Sequence, residues 1–158
     1  MKSKYHVLSS IPLGIVYYTA SKDPANTLLA MGAATLIDVD HIADYVLTQK
    51  RIDPISKMIK AFDWLKYVQK NYLFLHSWEI VIILAVFQGI SPHPSIAAIL
   101  AGYALHMLID QIYNCYCLGK YNLKPFFYFL FYRMRFNFDV LPLRKCSHLI
   151  NIDERIYA

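Results

Sequence analysis

Histidines and acidic residues recur in the apolar parts of this sequence at spacings that would let several of them hold one metal ion. His106 and Asp110 are four residues apart, so on a helix they stack on one face and can reach the same ion, and Asn114 continues that face. Asp38 and His41, three apart, are neighbours in the same sense. Asp38 and Asp40 diverge on a regular helix, so both reach one ion only where a helix is ending. His6, Asp44, His76 and Glu79 complete the group, with Asp44 and Glu79 suited either to ligation or to orienting a ligand histidine. Imidazole plus carboxylate suits zinc, manganese or iron. No cysteine belongs to this group, which argues against a closed structural zinc site.

The elements that must position these residues are helical. The chain has 158 residues, 57% of them hydrophobic and 17% charged, with a mean hydropathy of +0.33. A soluble domain carries about 25% charge. Four apolar blocks, 7–20, 25–47, 72–90 and 94–116, have helical length, and the expected fold is an all-α helical bundle. Ser21-Lys22-Asp23-Pro24 and Ser91-Pro92-His93-Pro94 break the first and third blocks, because a proline disfavours helix at the residue before it. His93 reads as a loop residue. Between the second and third blocks, Ile55, Met58, Ile59, Phe62 and Leu65 recur at helical spacing among lysines, as in an amphipathic surface helix. After Gly119 come an aromatic run over 126–132 and a basic tail. One domain is expected over 1–158, with a core over 5–117 and a tail over 118–158.

A bilayer span needs about 20 mostly apolar residues, and the four blocks approach that length. A soluble bundle of buried helices is the competing reading, and the basic residues decide against it. If all four blocks span, every lysine and arginine except Lys22 falls on the side of the two termini. That bias predicts a multi-pass inner-membrane protein with both termini cytoplasmic. The start of the chain resembles a signal peptide, but Tyr18-Thr19-Ala20 lacks the small residue of a cleavage site, so retention is expected. On this topology His6, the 38–44 group, His76 with Glu79, and His106 with Asp110 lie at one depth, and ionisable groups in apolar helices mark function. The aromatic run reads as an interfacial belt, or alternatively as a lipid-binding platform. Membrane lipids are the expected partners, and no nucleic-acid motif accompanies the basic surface. Three cysteines are too few for a disulfide framework; reduced thiols are expected, with a zinc clamp of Cys115, Cys117, Cys146 and His148 as the alternative.

Tyr5-His6, Asp38-Val39-Asp40-His41, Leu75-His76-Ser77 and the run from Gly102-Tyr103 through His106 to Asp110 together resemble the bacterial and archaeal inner-membrane metal-dependent hydrolases. That family is similar, more distantly, to the all-helical zinc-dependent phospholipase C enzymes. The resemblance implies metal ligation by His6, Asp38 or Asp40, His76, His106 and Asp110, with His41 beside them. Phe74-Leu75 stand where the family usually carries Arg and Thr, and the N-terminal Trp and later His-x-x-x-Glu of the phospholipases are missing, so one or two ions are expected. The expected activity is hydrolysis of a phosphodiester, a phospholipid or another ester by a water activated on a divalent ion, zinc first. Asp40 or Glu79 would take the proton and Ser77 would bond the substrate. The alternative is a non-enzymatic metal-binding membrane scaffold or sensor.

Overall fold

Two helices of this chain begin in the same way, each with a capping side chain followed by a proline. The computed structural model describes residues 3–56, 58, 70–116 and 123–145. In it, Asp23 caps α2 (Pro24–Leu36) by accepting from the amides of Ala25 and Asn26 at 2.9 and 3.1 Å. The Asn26 amide holds the Asp23 carboxyl below its ordinary range. His93, expected to be only a loop residue, caps α5 (Pro94–Gln111) by accepting from the Ser95 amide at 3.3 Å. Proline at the first helical position has no amide to leave unsatisfied. α1 (Ser3–Ser21) and α4 (Trp78–Ile90) run the other way, so the four helices alternate in direction. α1 ends where Lys22 turns left-handed and its amide reaches the Tyr18 carbonyl at 2.8 Å.

The second apolar block does not continue as one helix. It breaks at Ile37 and Asp38, and α3 (Val39–Gln49) follows as a separate element. Likewise the third block becomes helical only at Trp78, leaving the segment 71–77 irregular. α2 and α4 therefore have 13 residues each. Only one helix among the described residues, Pro94–Tyr116, is long and apolar enough to cross a membrane. Its last turn, Ile112–Tyr116, is π-helical. Most of the expected amphipathic helix, including Ile59, Phe62 and Leu65, lies outside the described residues.

The main packing is α2 against α5, with α1 on α2 and α4 on α5. Small residues set it: Ala30, Ala34 and Ala98 are at most 1% exposed. At Gly102 an added Cβ would stand 2.0 Å from the Ala30 carbonyl oxygen and 3.0 Å from the Ala33 Cβ. The two backbones touch there, and only glycine permits it. The core continues into the C-terminal region, where Leu123, Phe127, Tyr128 and Leu143 pack with Ile37, Leu73, Tyr103 and Met107. Leu123, Phe127, Tyr128 and Leu143, from the segment expected as a tail, are thus part of the core. The aromatic run, expected as one interfacial belt, is divided: Phe127 and Tyr128 are buried while Phe126 and Phe131 are exposed. A short 3-10 turn (Pro125–Tyr128) and a short helix, α6 (Leu130–Arg135), turn the first pair inward.

Gly102→Ala should lower stability by about 1–3 kcal/mol, because backbone atoms on α2 would have to move. Gly32→Ala, where the nearest atom to a new Cβ is Leu36 Cδ1 at 3.9 Å, should be neutral or slightly stabilising. Thermal unfolding of the two purified variants checks this, and equal melting temperatures would refute the close approach.

Candidate metal centre

The close approach at Gly102 brings the next turn of α5 onto the end of α2. His106 is one turn beyond Gly102, and its Nδ1 lies 2.9 Å from the Ala34 carbonyl oxygen. A carbonyl only accepts, so Nδ1 carries the proton and Nε2 presents a lone pair. His76, in the irregular segment, has its Nδ1 3.3 Å from Asp40 Oδ2, which directs its Nε2 the same way. The two Nε2 atoms face each other at 3.3 Å with both rings buried. Two lone pairs in that position repel, and a proton or a cation between them relieves the repulsion. Two nitrogens bound tetrahedrally to one zinc at about 2.0–2.1 Å would lie about 3.3 Å apart.

Carboxylates surround this pair. Asp38 Oδ1 is 3.6 Å from His76 Nε2 and 3.7 Å from the Nε2 atoms of both His106 and His41. Asp38 occupies the N-cap position of α3 but makes no side-chain cap bond, so its carboxylate is turned to the imidazoles. Its Oδ2 is buried without a hydrogen-bond partner among the described residues. On the other side His6 stacks on His106, ring centres 3.9 Å apart, and its Nε2 lies 3.1 Å from Asp110 Oδ1. Asp110 Oδ2 is 3.9 Å from His76 Nε2. Two sets of candidate ligand atoms result, Asp38 with His76 and His106, and His6 with His106 and Asp110, each within 4.8 Å of one another. This buried cluster could hold a metal ion, and the orphaned Asp38 oxygen and facing Nε2 atoms fit that use. Its exposure is one-sided: the side chains of His41 and Asp38 are 26% and 14% exposed, while those of His76 and His106 are 0% exposed.

Several residues expected at the ion stand elsewhere. Asp40 is on the far edge of His76: its Oδ2 accepts from the amides of Leu75 at 2.7 Å and His76 at 3.3 Å as well as facing Nδ1. It orients His76 and is turned away from the Nε2 atoms, because Asp38 and Asp40 diverge on either side of the turn that starts α3. Ser77 is fully buried and donates to the Phe74 carbonyl at 3.2 Å, so its hydroxyl is spent within its own turn. Glu79 points to α6, where its Oε1 accepts from the Phe131 amide at 3.2 Å. No contact joins Glu79 to the cluster among the described residues. Asp44 braces the irregular segment by accepting from the Tyr72 amide at 2.7 Å. Asn114 does continue the His106–Asp110 face, but through a third group: it donates to Tyr128 Oη at 2.5 Å, and Tyr128 Oη lies 3.4 Å from Asp110 Oδ2. Burial, with Asp110 beside it, pushes the Tyr128 phenol well above its ordinary range. Of the alternative cysteine clamp, Cys115 is buried and the other three members lie outside the described residues.

Sequence reasoning missed Tyr128, Tyr103 and Arg133. Tyr103 Oη donates to the Leu75 carbonyl and Arg133 donates to the carbonyls of Leu73 and His76. A signal existed for one of them: an arginine directly after an aromatic run that must be partly buried has little room to reach water.

The protein should copurify with a divalent metal; His76→Ala and His106→Ala should each lose most of it, while Ser77→Ala and Glu79→Gln should retain it. Elemental analysis of the four purified variants checks this; full metal content in His106→Ala would refute the assignment. No family model, curated protein or solved structure matches this chain, so the reading of the site rests on its own geometry.

Proposed function

We propose that the chain is a membrane-embedded, metal-dependent hydrolase acting on a phosphodiester, a phospholipid or another ester. The observation that carries the metal reading is the pair of imidazole nitrogens facing each other at 3.3 Å with a carboxylate beside them. His76, His106 and Asp38 would hold an ion, zinc first, and His6 with Asp110 offers a second set around the shared His106. A divalent ion would supply Lewis-acid polarisation of an ester or phosphoryl oxygen and a more acidic water. The chain's own residues do the rest. Asp40 and the Ala34 carbonyl fix the two rings so that their Nε2 atoms need no rearrangement to bind. Asp38 keeps one oxygen, Oδ2, uncommitted beside the imidazoles, which makes it the best-placed acceptor for a proton from water. It ranks ahead of Asp40, whose Oδ2 accepts from two amides, and of Glu79, which lies against the Phe131 amide. The exposed side of the cluster, at Asp38 and His41, is where a substrate would enter.

The membrane reading is supported by what the helices leave uncovered. Ile11, Ile15 and Val16 of α1, Leu28 and Leu36 of α2, and Ile82, Val86, Phe87 and Ile90 of α4 are all exposed, and Ile90 is 78% exposed. α4 has no buried residue. Apolar faces on neighbouring helices exceed what a water-soluble surface carries. At about 1.5 Å per residue, the 13 residues of α2 and of α4 reach about 20 Å, against a hydrocarbon core of about 30 Å. The metal centre would then lie about 10 Å below the cytoplasmic face, beneath α3, the 71–77 segment and α6. Reporter fusions at Lys60 should read cytoplasmic, and one in the Ser91–Pro94 turn should not. Recovery of the untagged protein in a soluble fraction without detergent would end the membrane reading and leave the metal centre standing.

The metal-loaded protein should turn over phospholipids or model phosphodiesters, chelation should abolish this, and added zinc should restore it. Asp38→Asn should cost about 10²–10⁴-fold in turnover, the size of effect seen for a lost proton-transfer group, and Glu79→Gln should cost little. No turnover by metal-loaded wild type on any of these substrates would favour the scaffold, in which the ion only locks the helices together.

A further inference from the structure

Arg133 is the largest side chain fully enclosed among the described residues, with 0% exposure. Arginine is almost never buried unless paired. Its guanidinium makes no ion pair by direct contact among the described residues; it donates from Nη1 to the His76 carbonyl at 3.1 Å and from Nη2 to the Leu73 carbonyl at 2.9 Å. It lies 5.4 Å from the centre of the Phe127 ring, which gives the cation a second attraction. Burial pushes it down to about 10, and the carboxylates of Asp40, Glu79 and Asp44 favour its charge. It remains a cation at neutral pH.

The two carbonyls it holds belong to the segment that delivers His76. That segment is irregular, and Leu73 within it has a positive φ of 39°. Asp40 holds the His76 amide and Nδ1 from one side, and Arg133 holds the His76 carbonyl from the other. Only a planar fork can bridge two carbonyls three residues apart with parallel donors. Glu79 completes the arrangement by accepting from the Phe131 amide at the start of the helix that carries Arg133.

We propose that Arg133 is a positioning residue of the metal centre, acting through the His76 carbonyl to set the direction of the His76 imidazole. This rests on the metal reading of the His76–His106 pair. It gives the C-terminal helix α6 a role in metal affinity although α6 supplies no ligand.

The test compares Arg133→Lys and Arg133→Met with wild type, by cobalt(II) titration followed through the visible absorption bands and by ¹⁵N-histidine NMR of the metal-free protein. Both variants should bind cobalt at least about 10-fold more weakly with altered bands, the usual size of effect for lost outer-shell partners. In the metal-free spectrum the His76 nitrogens should shift while those of His106, held by Ala34, stay in place. Lysine can keep one of the two carbonyl bonds, so Arg133→Lys should fall between wild type and Arg133→Met. If Arg133→Met does not fold, Arg133→Lys alone decides. Unchanged His76 resonances and unchanged cobalt affinity, with only a lower melting temperature, would overturn the proposal and reduce Arg133 to packing. Shifted His76 resonances in the variants, with a wild type that binds no cobalt, would overturn the metal reading and leave the positioning contact standing.

Discussion

The structure turns on where two imidazole protons are held. Once the Ala34 carbonyl claims Nδ1 of His106 and Asp40 claims that edge of His76, the remaining nitrogens must face one another across 3.3 Å. Two opposed lone pairs at that distance would repel, and a proton held between the rings or a cation between them relieves the repulsion. The other arrangements follow from it. Asp38 forgoes its capping role to stand beside the pair, His6 stacks on one ring, and Asp110 is shared between His6 and the Tyr128–Asn114 pair.

The geometry also depends on backbone contact. His106 reaches the Ala34 carbonyl because, one turn earlier, Gly102 lets α5 lie against the Ala30 carbonyl. The small residues on α2 and α5 therefore set the geometry of the His/Asp cluster as well as the packing. The 71–77 segment poses the opposite problem, since its backbone groups have no helix to satisfy them. Side chains from distant elements do so: Asp44 and Asp40 take amides, and Tyr103 and Arg133 cover carbonyls. Irregular backbone buried away from water persists only where the protein supplies such partners.

What was legible in the sequence was what obeys local periodicity. The four-residue spacing of His106 and Asp110 put both on the buried face of α5, and Asn114 extends it. The three-residue spacing of Asp38 and His41 holds, and the divergence of Asp38 from Asp40 coincides with the break between α2 and α3. The separation of ligand from orienting carboxylate was illegible, because it depends on which way each side chain leaves a turn. Ser77 and Glu79 misled for a related reason: proximity to His76 in sequence does not survive the start of a helix, where successive residues fan out by about 100° each. The burial of Arg133 had a signal in the aromatic run before it, but its partners were out of reach, because they are 57 and 60 residues away and are backbone atoms, which no side-chain pattern announces.

The pairing of His6 with Asp110 spans 104 positions. A chain emerging from the ribosome presents His6 first and can complete neither ligand set until α5 has been made. The contacts that steady His76 wait longer, for Arg133. Assembly of the cluster is consequently a late event in the life of the molecule, complete only when both ends of the chain have joined the bundle.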